Sequence, residues 1–455
     1  MKYPDLLNCT VAVIGMGYVG LPLAIELAKS QNCYLSNKKM NRRIIAFDVN
    51  CSRIQSLINN IDLNDQIDKN ELKEAENIEY VFDANILYQA DIFIITVPTP
   101  IDEACVPDLN NLKEASKTVG IALKQRLENI SKSSDISPVV IFESTVYPGA
   151  TEEICIPIIE AESNLVLNAN ENAKGFVCGY SPERINPGDK ERTLVNIVKV
   201  TSGSNVTASE WINKFYGSII KAGTFKASSI KIAEAAKVIE NTQRDLNIAL
   251  INELSIIFRK MKIDTLDVLE AASTKWNFLD FKPGLVGGHC IGVDPYYLTY
   301  KSKKMGYYPQ VVLAGRRIND KMGAWIIEQF ILEMARKSMI IGGSDILILG
   351  LTFKENCKDI RNTRVIDMVK VLYDYKINVD VVDPLIDCDF ANKIYKINIL
   401  NKIPNNKKYS GVILAVAHEE FVKFSKKDWE NLVLDQGIFL DVKGIIPRSL
   451  SPIRI

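Results

Sequence analysis

Residues 11–24 read VAVIGMGYVGLPLA, and this stretch decides the fold. It places Gly15, Gly17 and Gly20 as G-x-G-x-x-G between an apolar strand and the start of a helix. In such a motif the first glycine permits a tight turn, the second lets a pyrophosphate approach the backbone, and the third allows close helix packing. The phosphates would then meet unpaired amides at the helix N-terminus. The stretch predicts a dinucleotide-binding α/β unit, with a purely structural glycine turn as the alternative.

The next apolar run ends at Phe47-Asp48, which predicts the nature of the dinucleotide. A carboxylate there can accept hydrogen bonds from the adenosine ribose and would repel a 2′-phosphate, so NAD is favoured over NADP. Asp48 follows Gly20 by 28 residues, whereas the usual gap is about 20. We interpret QNCYLSNKKMNRR (31–43) as a loop insertion, and this insertion counts against the assignment of Asp48.

Apolar runs that alternate with helical patterns extend this architecture along the chain. They are TVAVIG (10–15), IIAFDV (44–49), DIFIITVP (91–98), PVVIFEST (138–145), FVCGYSP (176–182), NIVKVTSG (196–203), DILILGLTF (345–353), NVDVVDP (378–384), GVILAVAH (411–418) and GIFLDVKG (437–444). Such runs are typical of buried parallel strands. Residues 228–261 contain neither Pro nor Gly and predict one long helix. The pattern predicts an α/β fold with two Rossmann-like, doubly wound parallel-sheet domains joined by a long central helix.

Composition excludes several classes of protein. The chain has 455 residues, with Lys plus Arg equal to Asp plus Glu at 55 each, so a broad basic field for nucleic acid or membrane lipid is absent. No signal peptide or run of 18 apolar residues is evident, which predicts a cytoplasmic protein. Nine scattered cysteines without a CxxC pair predict reduced thiols. The two histidines, His289 and His418, are too few for a common zinc site, so no metal is expected.

Two segments carry residue types suited to covalent catalysis. Lys237 and Asn241 are spaced i, i+4 in the long helix and can stabilise an oxyanion together, although a solvated helical face is the alternative. Cys290 stands in a Gly-rich run four residues before Asp294, which could act as a base or orient water. Inert burial is the commoner fate of an isolated cysteine. The flanking glycines and Asp294 favour a nucleophile.

Strand ends supply further candidates, because the carboxyl ends of parallel strands line the ligand crevice. Thr99 and Thr145 lie at two such ends, with capping of the next turn as the alternative. Lys354, Arg361 and Arg364 follow another strand and could meet phosphate or ribose groups, with a surface charge cluster as the alternative.

The chain resembles the UDP-glucose/GDP-mannose dehydrogenase family in blocks that follow one another in the family's order. The blocks are GMGYVGLPLA (15–24), TVPTP (96–100), ESTVYPGATEE (143–153), SPERINPGD (181–189), AEAAKVIENTQRDLNIALINE (233–253), KPGLVGGHCIGVDPYYL (282–298) and GLTFKENCKDIRNTR (350–364). The resemblance implies an NAD-binding Rossmann domain (1–205), a central helical segment that forms the dimer interface and carries catalytic residues (206–320), and a C-terminal UDP-sugar-binding domain (321–455). It implies oxidation of a UDP-sugar C6 alcohol to a carboxylate by two NAD molecules, through a thiohemiacetal and a thioester on Cys290.

The same resemblance implies a role for individual residues. Lys237 and Asn241 match oxyanion-stabilising residues, Asp294 the acid that assists water and proton transfer, Glu183 a catalytic carboxylate, and Thr145 a residue that positions water and contacts the cofactor. The expected cofactor-binding residues are Gly15, Gly17, Tyr18, Val19, Gly20, Asp48, Arg53, Pro98, Thr99, Thr145 and Arg361. The expected substrate-binding residues are Glu183, Arg184, Lys237, Asn241, Lys282, Pro283, Gly284, Gly287 and Lys354.

Three local features suggest which sugar is bound. The chain reads Pro182-Glu183-Arg184-Ile185-Asn186-Pro187-Gly188 where the glucose branch usually carries Pro-Glu-Phe-Leu. Lys275-Trp276-Asn277-Phe278, together with His289 before Cys290, also resembles the branch acting on UDP-N-acetylhexosamines, whose products feed capsule or O-antigen synthesis. The resemblance therefore favours UDP-GlcNAc or UDP-GalNAc, with UDP-glucose and UDP-N-acetylmannosamine as runners-up.

Two other classes of protein remain as alternatives. A β-hydroxyacid dehydrogenase also combines a Rossmann domain with a long helix and a lysine near an asparagine, but it transfers one hydride and needs no nucleophilic cysteine. A non-catalytic cofactor-binding regulator would keep the fold without turnover.

Overall fold

The computed structural model describes residues 2–64, 66–129, 136–168, 174–185 and 192–455. Asn186, Pro187 and Gly188, which carry part of the sugar prediction, lie outside these ranges. The chain forms two compact units, one of Met1–Glu240 with Tyr296–Met305, the other of Asn241–Pro295 with Gly306–Ile455. The division into three segments at 205 and 320 stays a prediction.

A nine-stranded sheet organises the first unit. Its strands are β1 (Thr10–Ile14), β2 (Arg43–Phe47), β3 (Ile78–Val81), β4 (Ile92–Ile95), β5 (Val139–Phe142), β6 (Val166–Leu167), β7 (Gly175–Tyr180), β8 (Lys199–Gly203) and β9 (Thr224–Lys226). Their order is β3-β2-β1-β4-β5-β7-β8-β9, with β6 beside β7. The chain reverses its strand order between β1 and β4, which creates the crevice where such sheets bind ligands.

The predicted parallel direction is wrong for residues 196–203. Strand β8 pairs antiparallel with β7, with Gly179 opposite Gly203 and Tyr180 opposite Ser202. A parallel return needs a long crossover, usually a helix. The described part of the β7–β8 connection contains a 3₁₀ turn, Leu194–Asn196, and no α-helix, so the chain returns in the opposite direction.

Helices cover the first sheet and lead out of it. They are α1 (Gly20–Ala28), α2 (Cys51–Ile58), α3 (Lys69–Glu74), α4 (Asn110–Asn129), α5 (Ile156–Ser163), α6 (Val206–Gly217) and α7 (Ile230–Met261). Strand residues Val11 and Val13 share one buried core with Leu23 and Leu27 of α1. Helix α7 confirms the long helix predicted over 228–261, and the boundary between the two units falls within it, after Glu240.

The second unit contains six parallel strands in the order β12-β11-β10-β13-β14-β15. These are β10 (Asp345–Leu349), β11 (Asn378–Val382), β12 (Ile399–Leu400), β13 (Tyr409–Leu414), β14 (Val433–Asp441) and β15 (Ile453–Arg454). The remaining helices of the chain are α8 (Thr265–Ser273), α9 (Asp294–Lys304), α10 (Gln310–Arg336), α11 (Val365–Asp374), α12 (Cys388–Tyr395), α13 (Glu419–Val422) and α14 (Lys426–Leu432).

Strand β10 shows why the second sheet is covered on both faces. Its residues alternate between two cores, because successive side chains of a strand point to opposite faces. Ile346 and Ile348 join a core with Phe330 of α10, whereas Leu347 packs in another with Trp429 of α14. One mostly parallel sheet and one fully parallel sheet confirm the predicted α/β class. Among the described residues, no helix has the length and apolar character needed to cross a membrane.

Candidate active site

The predicted cofactor loop of the first unit is a tight turn between β1 and α1. Gly15 has a φ of +100°, a conformation that side chains disfavour, and its amide donates to Phe47 O at 2.8 Å. A Cβ at Gly20 would lie 1.8 Å from Gly15 O and 2.4 Å from Thr96 Oγ1. A Cβ at Gly17 would have no heavy atom within 4 Å. The turn therefore requires two of its glycines for closure and leaves open space at the third, which fits a dinucleotide phosphate.

Asp48 reaches the cofactor loop despite the insertion before it. Its Oδ2 accepts from Met16 N at 2.7 Å, and its Oδ1 accepts from Asn50 N at 2.8 Å. A carboxylate has about four acceptor positions, so both oxygens can still accept ribose hydroxyls. Arg53 is buried, donates from Nε to Met16 O at 2.8 Å and pairs with Asp62 at 2.7 Å. Arg53 therefore supports the loop from behind, while Asp48 faces a position suited to the ribose.

The inserted segment closes on itself. Cys33 N donates to Lys38 O at 2.8 Å, and Met40 N donates to Gln31 O at 3.1 Å. Cys33 and Met40 are buried, which anchors the segment to the first core. The insertion therefore leaves the ends of β1 and β2 adjacent, with Thr10 opposite Arg43 and Ile14 opposite Phe47.

The ends of β4 and β5 are joined through threonine. Thr99 Oγ1 donates to Thr145 O at 2.6 Å, and Tyr297 OH donates to Thr99 O. The hydroxyl of Thr99 thus has the turn-stabilising role that was the alternative to cofactor contact.

Pro98 is exposed, and Tyr18 and Val19 are half-buried beside the glycine turn. Thr145 is half-buried at the end of β5, so its side chain lies at the ligand-binding edge of the sheet.

Glu183 lies in a buried charge cluster that sequence reasoning missed. Its Oε1 accepts from Arg184 N at 2.6 Å and from Ile185 N, and its Oε2 lies 3.7 Å from Lys199 Nζ. Lys199 makes a closer pair with Glu143, at 2.7 Å. Tyr216 OH donates to the other oxygen of Glu143 at 2.5 Å. Two carboxylates therefore share one buried ammonium, and a lysine within the apolar run 196–203 was the signal that could have indicated it.

Burial dominates the electrostatics of this cluster. Loss of hydration raises the pKa of Glu143, the Lys199 ammonium acts in the opposite direction, and the nearby Glu183 carboxylate adds to the rise.

Arg184, a predicted substrate ligand, pairs with Glu240 at 2.8 Å and donates to Val198 O at 2.9 Å. Lys237 is 8% exposed on α7. That burial contradicts the solvated-face alternative for the lysine.

The second unit brings together Asn241, Cys290 and Asp294. Asn241 Nδ2 donates to Asp294 Oδ2 at 2.6 Å, and the Asp294 carboxylate is 2% exposed. Cys290 O accepts from Asp294 N at 2.8 Å and from Val293 N at 3.1 Å, so Cys290 occupies the turn that opens α9. Cys290 is half-buried and carries a free thiol. Cys290 is therefore not fully buried, and its role as a nucleophile stays a prediction.

Close backbone contacts hold the loop before Cys290. A Cβ at Gly287 would lie 2.7 Å from Asn362 O, and one at Gly288 would lie 2.8 Å from Phe353 Cδ2. Gly288 also has a φ of +82°, so both its backbone conformation and the nearby Phe353 ring favour glycine there. Pro283 and Gly284 are buried, whereas Lys282 is exposed at the start of the loop.

The basic segment after β10 contains both paired and exposed groups. Arg361 donates to both oxygens of Asp359, from Nε at 2.9 Å and from Nη2 at 2.7 Å, and its side chain is 44% exposed. His289 Nε2 lies 3.7 Å from Asp359 Oδ2. Burial, with a contribution from the Arg361 charge, lowers the pKa of His289 to about 4. His289 is therefore neutral at physiological pH. Lys354 is half-buried, with Nζ 5.7 Å from the centre of the Phe353 ring.

A pocket opens at the carboxyl ends of β10, β13 and β14, where the second sheet reverses its strand order. It is lined by Leu285, Gly287, Thr352, Phe353, Thr363, Arg364, Val365, Ala415, Val416 and Lys443. Its lining combines apolar side chains with the polar side chains of Thr352, Thr363, Arg364 and Lys443, and small-molecule sites also combine the two kinds.

A buried histidine contacts the pocket residue Thr352, with His418 Nε2 3.2 Å from Thr352 Oγ1. His418 Nδ1 accepts from Asn356 N at 3.0 Å, so Nε2 carries the proton and donates to Asp383 Oδ2 at 3.0 Å. Asp383 also accepts from Leu351 N at 2.7 Å. Burial would raise the pKa of Asp383, but the His418 hydrogen bond and two backbone amides outweigh burial and lower it. The pair fixes the segment that carries Lys354.

Family models match three consecutive parts of the chain. Residues 9–220 match the NAD binding domain of the UDP-glucose/GDP-mannose dehydrogenase family, residues 231–321 its central domain, and residues 347–448 its UDP binding domain. The first match contains the glycine turn, the second contains Asn241, Cys290 and Asp294, and the third contains the strands around the pocket.

Individual proteins match along almost the full chain. A UDP-N-acetyl-D-glucosamine 6-dehydrogenase from Pseudomonas aeruginosa is 49% identical over 445 residues, covering 98% of this chain and 99% of the relative. One of the same name from Salmonella typhi is 48% identical, covering 98% of each. The solved UDP-D-ManNAc dehydrogenase of Pyrococcus horikoshii is 25% identical, with a TM-score of 0.82 and 98% of each chain covered.

Proposed function

The chain belongs to the UDP-glucose/GDP-mannose dehydrogenase family as an NAD-dependent nucleotide-sugar 6-dehydrogenase, and we propose that its substrate is UDP-GlcNAc or UDP-GalNAc. Two relatives near 49% identity carry the name UDP-N-acetyl-D-glucosamine 6-dehydrogenase, which supports an N-acetylhexosamine. The product would be the UDP-uronic acid, used for surface polysaccharide such as capsule or O-antigen. We further propose a cytoplasmic homodimer formed through the central segment 206–320.

One observation carries the proposed mechanism: Asn241 bonds Asp294 at 2.6 Å, and Cys290 O accepts from Asp294 N. A nucleophile, a carboxylate and an amide donor are thus held within one short part of the second unit. Cys290 would supply the nucleophilic thiolate from the turn that opens α9, where its side chain is half-buried. The Asp294 carboxylate, oriented by Asn241, is suited to accept a proton from water.

Two oxidations and one hydrolysis would convert the alcohol into the acid. The C6 alcohol loses a hydride and a proton to become an aldehyde, and Cys290 Sγ attacks C6 to form a thiohemiacetal. A second hydride and proton leave, giving a thioester. Water adds with Asp294 accepting its proton, the C–S bond breaks, and the thiolate is restored. The sum is alcohol, water and two NAD giving carboxylate, two NADH and three protons.

Bound NAD would accept each hydride in turn. Gly15, Gly17 and Gly20 with Asp48 would hold its pyrophosphate and ribose, and Thr145 would border the reacting end. Lys237 and Asn241 would donate to the oxygen at C6 as charge develops there. The covalent link to Cys290 would retain the aldehyde while the cofactor is exchanged. Glu183 would exchange a proton through Oε2, which has no hydrogen-bond partner within the described residues.

A panel of UDP-sugars tests this proposal. With NAD in excess, UDP-GlcNAc or UDP-GalNAc should give the highest kcat/KM and two NADH per sugar. Preference for UDP-glucose or UDP-N-acetylmannosamine would overturn the substrate proposal. One NADH per sugar would instead support a β-hydroxyacid dehydrogenase type of reaction. Cys290→Ser should lose uronate formation, and a variant that makes uronate at the wild-type rate would exclude the covalent step.

A further inference from the structure

Two segments of the second unit line its pocket as walls, and Gly287 of one packs against Asn362 and Thr363 of the other. Leu285 and Gly287 form the loop wall, and Thr363, Arg364 and Val365 form the helix wall at the start of α11. The loop wall is attached to a buried asparagine of α7, and the helix wall to a half-buried aspartate of α10. In a pocket formed between two segments, their separation sets how closely both can contact a bound ligand.

Asn252 of α7 holds the loop wall through its backbone. Its Oδ1 accepts from Gly284 N at 2.8 Å, and its Nδ2 donates to Gly284 O at 3.0 Å. Gly284 directly precedes Leu285 of the wall. Asn252 is completely buried, so its amide satisfies both backbone groups of Gly284 away from water.

Asp320 of α10 holds the helix wall through Arg364. Arg364 Nη2 donates to Asp320 Oδ1 at 2.5 Å, and Arg316 Nη2 donates to the same oxygen at 2.5 Å. Arg364 also pairs with Asp367, at the longer distance of 3.2 Å. Asp320 therefore ties Arg364 to the interior of the unit, whereas Asp367 lies on the same helix as the wall.

The two attachments meet in one hydrogen-bonded chain. Asn252 Nδ2 donates to Asn319 Oδ1 at 2.8 Å, and Asn319 Nδ2 donates to Asp245 Oδ1 at 2.7 Å. Asp245 Oδ1 also accepts from Arg316 Nη1 at 2.6 Å. Asp245, Asn252, Arg316 and Asn319 are all at least 99% buried. Displacing one member would leave a buried polar group without its partner, which makes a shift of either wall unfavourable.

We propose that Asp245, Asn252, Arg316, Asn319 and Asp320, here called the pocket brace, are positioning residues that fix the separation of the two walls. The inference rests on the proposed function, because it assigns the pocket to the UDP half of the substrate. The brace acts through Gly284 and Arg364. Loss of the pocket brace should weaken the binding of UDP and of the UDP-sugar, while the rate of the chemical step on a fully bound substrate changes little.

The sharpest test compares the two carboxylates that share Arg364. Asp320 and Asp367 have similar side-chain exposures, 28% and 33%, but Asp320 alone of the two joins the brace in the described structure. Asp320→Asn in the full chain should raise the Kd for UDP and the KM for the UDP-sugar about tenfold, which corresponds to ~1.4 kcal/mol, with kcat within about twofold. Asp367→Asn should change either constant less than about twofold. Equal effects of the two variants would overturn the proposal.

A second comparison tests whether the two walls are held by one chain of contacts. Asn252→Ala should also raise the Kd for UDP, measured by calorimetry on protein whose thermal unfolding remains cooperative. In that background, Asp320→Asn should add less than about twofold, since the chain is already interrupted. A full second tenfold increase would overturn the proposal. UDP affinity is measured without turnover, so a failure of the proposed oxidation would leave this result independent.

Discussion

Lys199 Nζ lies 2.7 Å from Oε2 of Glu143, with both side chains almost completely removed from solvent. The same ammonium lies 3.7 Å from Oε2 of Glu183. Moving a lysine into a protein interior is costly unless a carboxylate is paired with it. The proposed catalytic carboxylate of the first unit therefore depends on a charge balance set by two residues that do not belong to the predicted site.

Removing the shared ammonium should destabilise the protein. Lys199→Met leaves Glu143 buried without its counter-ion, and we expect the free energy of unfolding to fall by about 3 kcal/mol in denaturant titrations. Adding Glu143→Gln removes the unpaired charge and keeps an acceptor for Tyr216, so the double variant should recover most of that loss. A double variant no more stable than Lys199→Met would contradict this account.

Lys226 supplies the matched control for Lys199. It lies on the adjacent strand β9, is 45% exposed, and pairs with Glu210 at 3.8 Å. Exposed pairs contribute about 0–1 kcal/mol, so Lys226→Met should leave the unfolding free energy nearly unchanged.

Two glycines of the cofactor turn should respond differently to alanine. Gly20→Ala places a methyl group 1.8 Å from Gly15 O, so we expect a loss of ~2 kcal/mol or more in unfolding free energy. Gly17→Ala meets open space, so its stability should stay within about 0.5 kcal/mol of wild type. Its methyl group would occupy the space of the pyrophosphate, and the Kd for NAD should rise about tenfold or more. Normal NAD affinity in Gly17→Ala would place the phosphates elsewhere.

Asp294→Asn should trap the covalent intermediate. The asparagine can still accept from Asn241 but cannot take a proton from water, so kcat should fall by about 10²- to 10⁴-fold. Intact mass spectrometry during turnover should then detect a uronyl adduct, and Cys290→Ser should form none. Asp435→Asn, an exposed substitution in β14, should behave as wild type. Unchanged turnover in Asp294→Asn would remove Asp294 from the mechanism.

Glu234 should make stability depend on pH. Burial raises the pKa of its carboxyl to about 7, although Gly149 N at 2.5 Å and Thr151 N at 3.0 Å donate to it. Because the pKa of Glu234 is raised in the folded protein, the protonated carboxyl contributes its full share of folding stability below the unfolded-state pKa of 4.5. This contribution is lost as the pH rises through about 7. Between these pH values, the unfolding free energy of the wild type should therefore fall by up to about 3 kcal/mol relative to that of Glu234→Gln.

The matched control for that titration is Glu79→Gln. Glu79 is exposed and pairs with Arg43 at 2.7 Å, so its substitution should leave the pH dependence of unfolding as in wild type. If the unfolding free energies of wild type and Glu234→Gln changed in parallel from pH 4.5 to pH 8, burial of the ionised Glu234 carboxylate would not be destabilising.

Local sequence patterns predicted the strands and helices that keep one kind of residue pattern along their whole length. Buried runs such as β1 and β10 are uniformly apolar, and the long helix α7 lacks Pro and Gly. Strand β3, with the sequence IEYV, was missed because it is short and only half-buried at one end of the sheet order. Strand β9 was missed for a similar reason, since its three residues are largely exposed. Hydrophobic periodicity reports burial, and it carries little signal where a strand faces solvent.

The α/β class, the glycine turn and the residue types at the candidate site follow from the linear sequence. These depend on local backbone conformation and on short spacings, which a linear pattern contains. Tertiary packing sets the antiparallel pairing of β8 with β7, the contacts of Lys199 with Glu143 and Glu183, and the hydrogen bonds that join Asn252 to Gly284 and Asp320 to Arg364. Each of these depends on groups far apart in the chain, and their pairing is set by desolvation and hydrogen-bond geometry after the elements have packed.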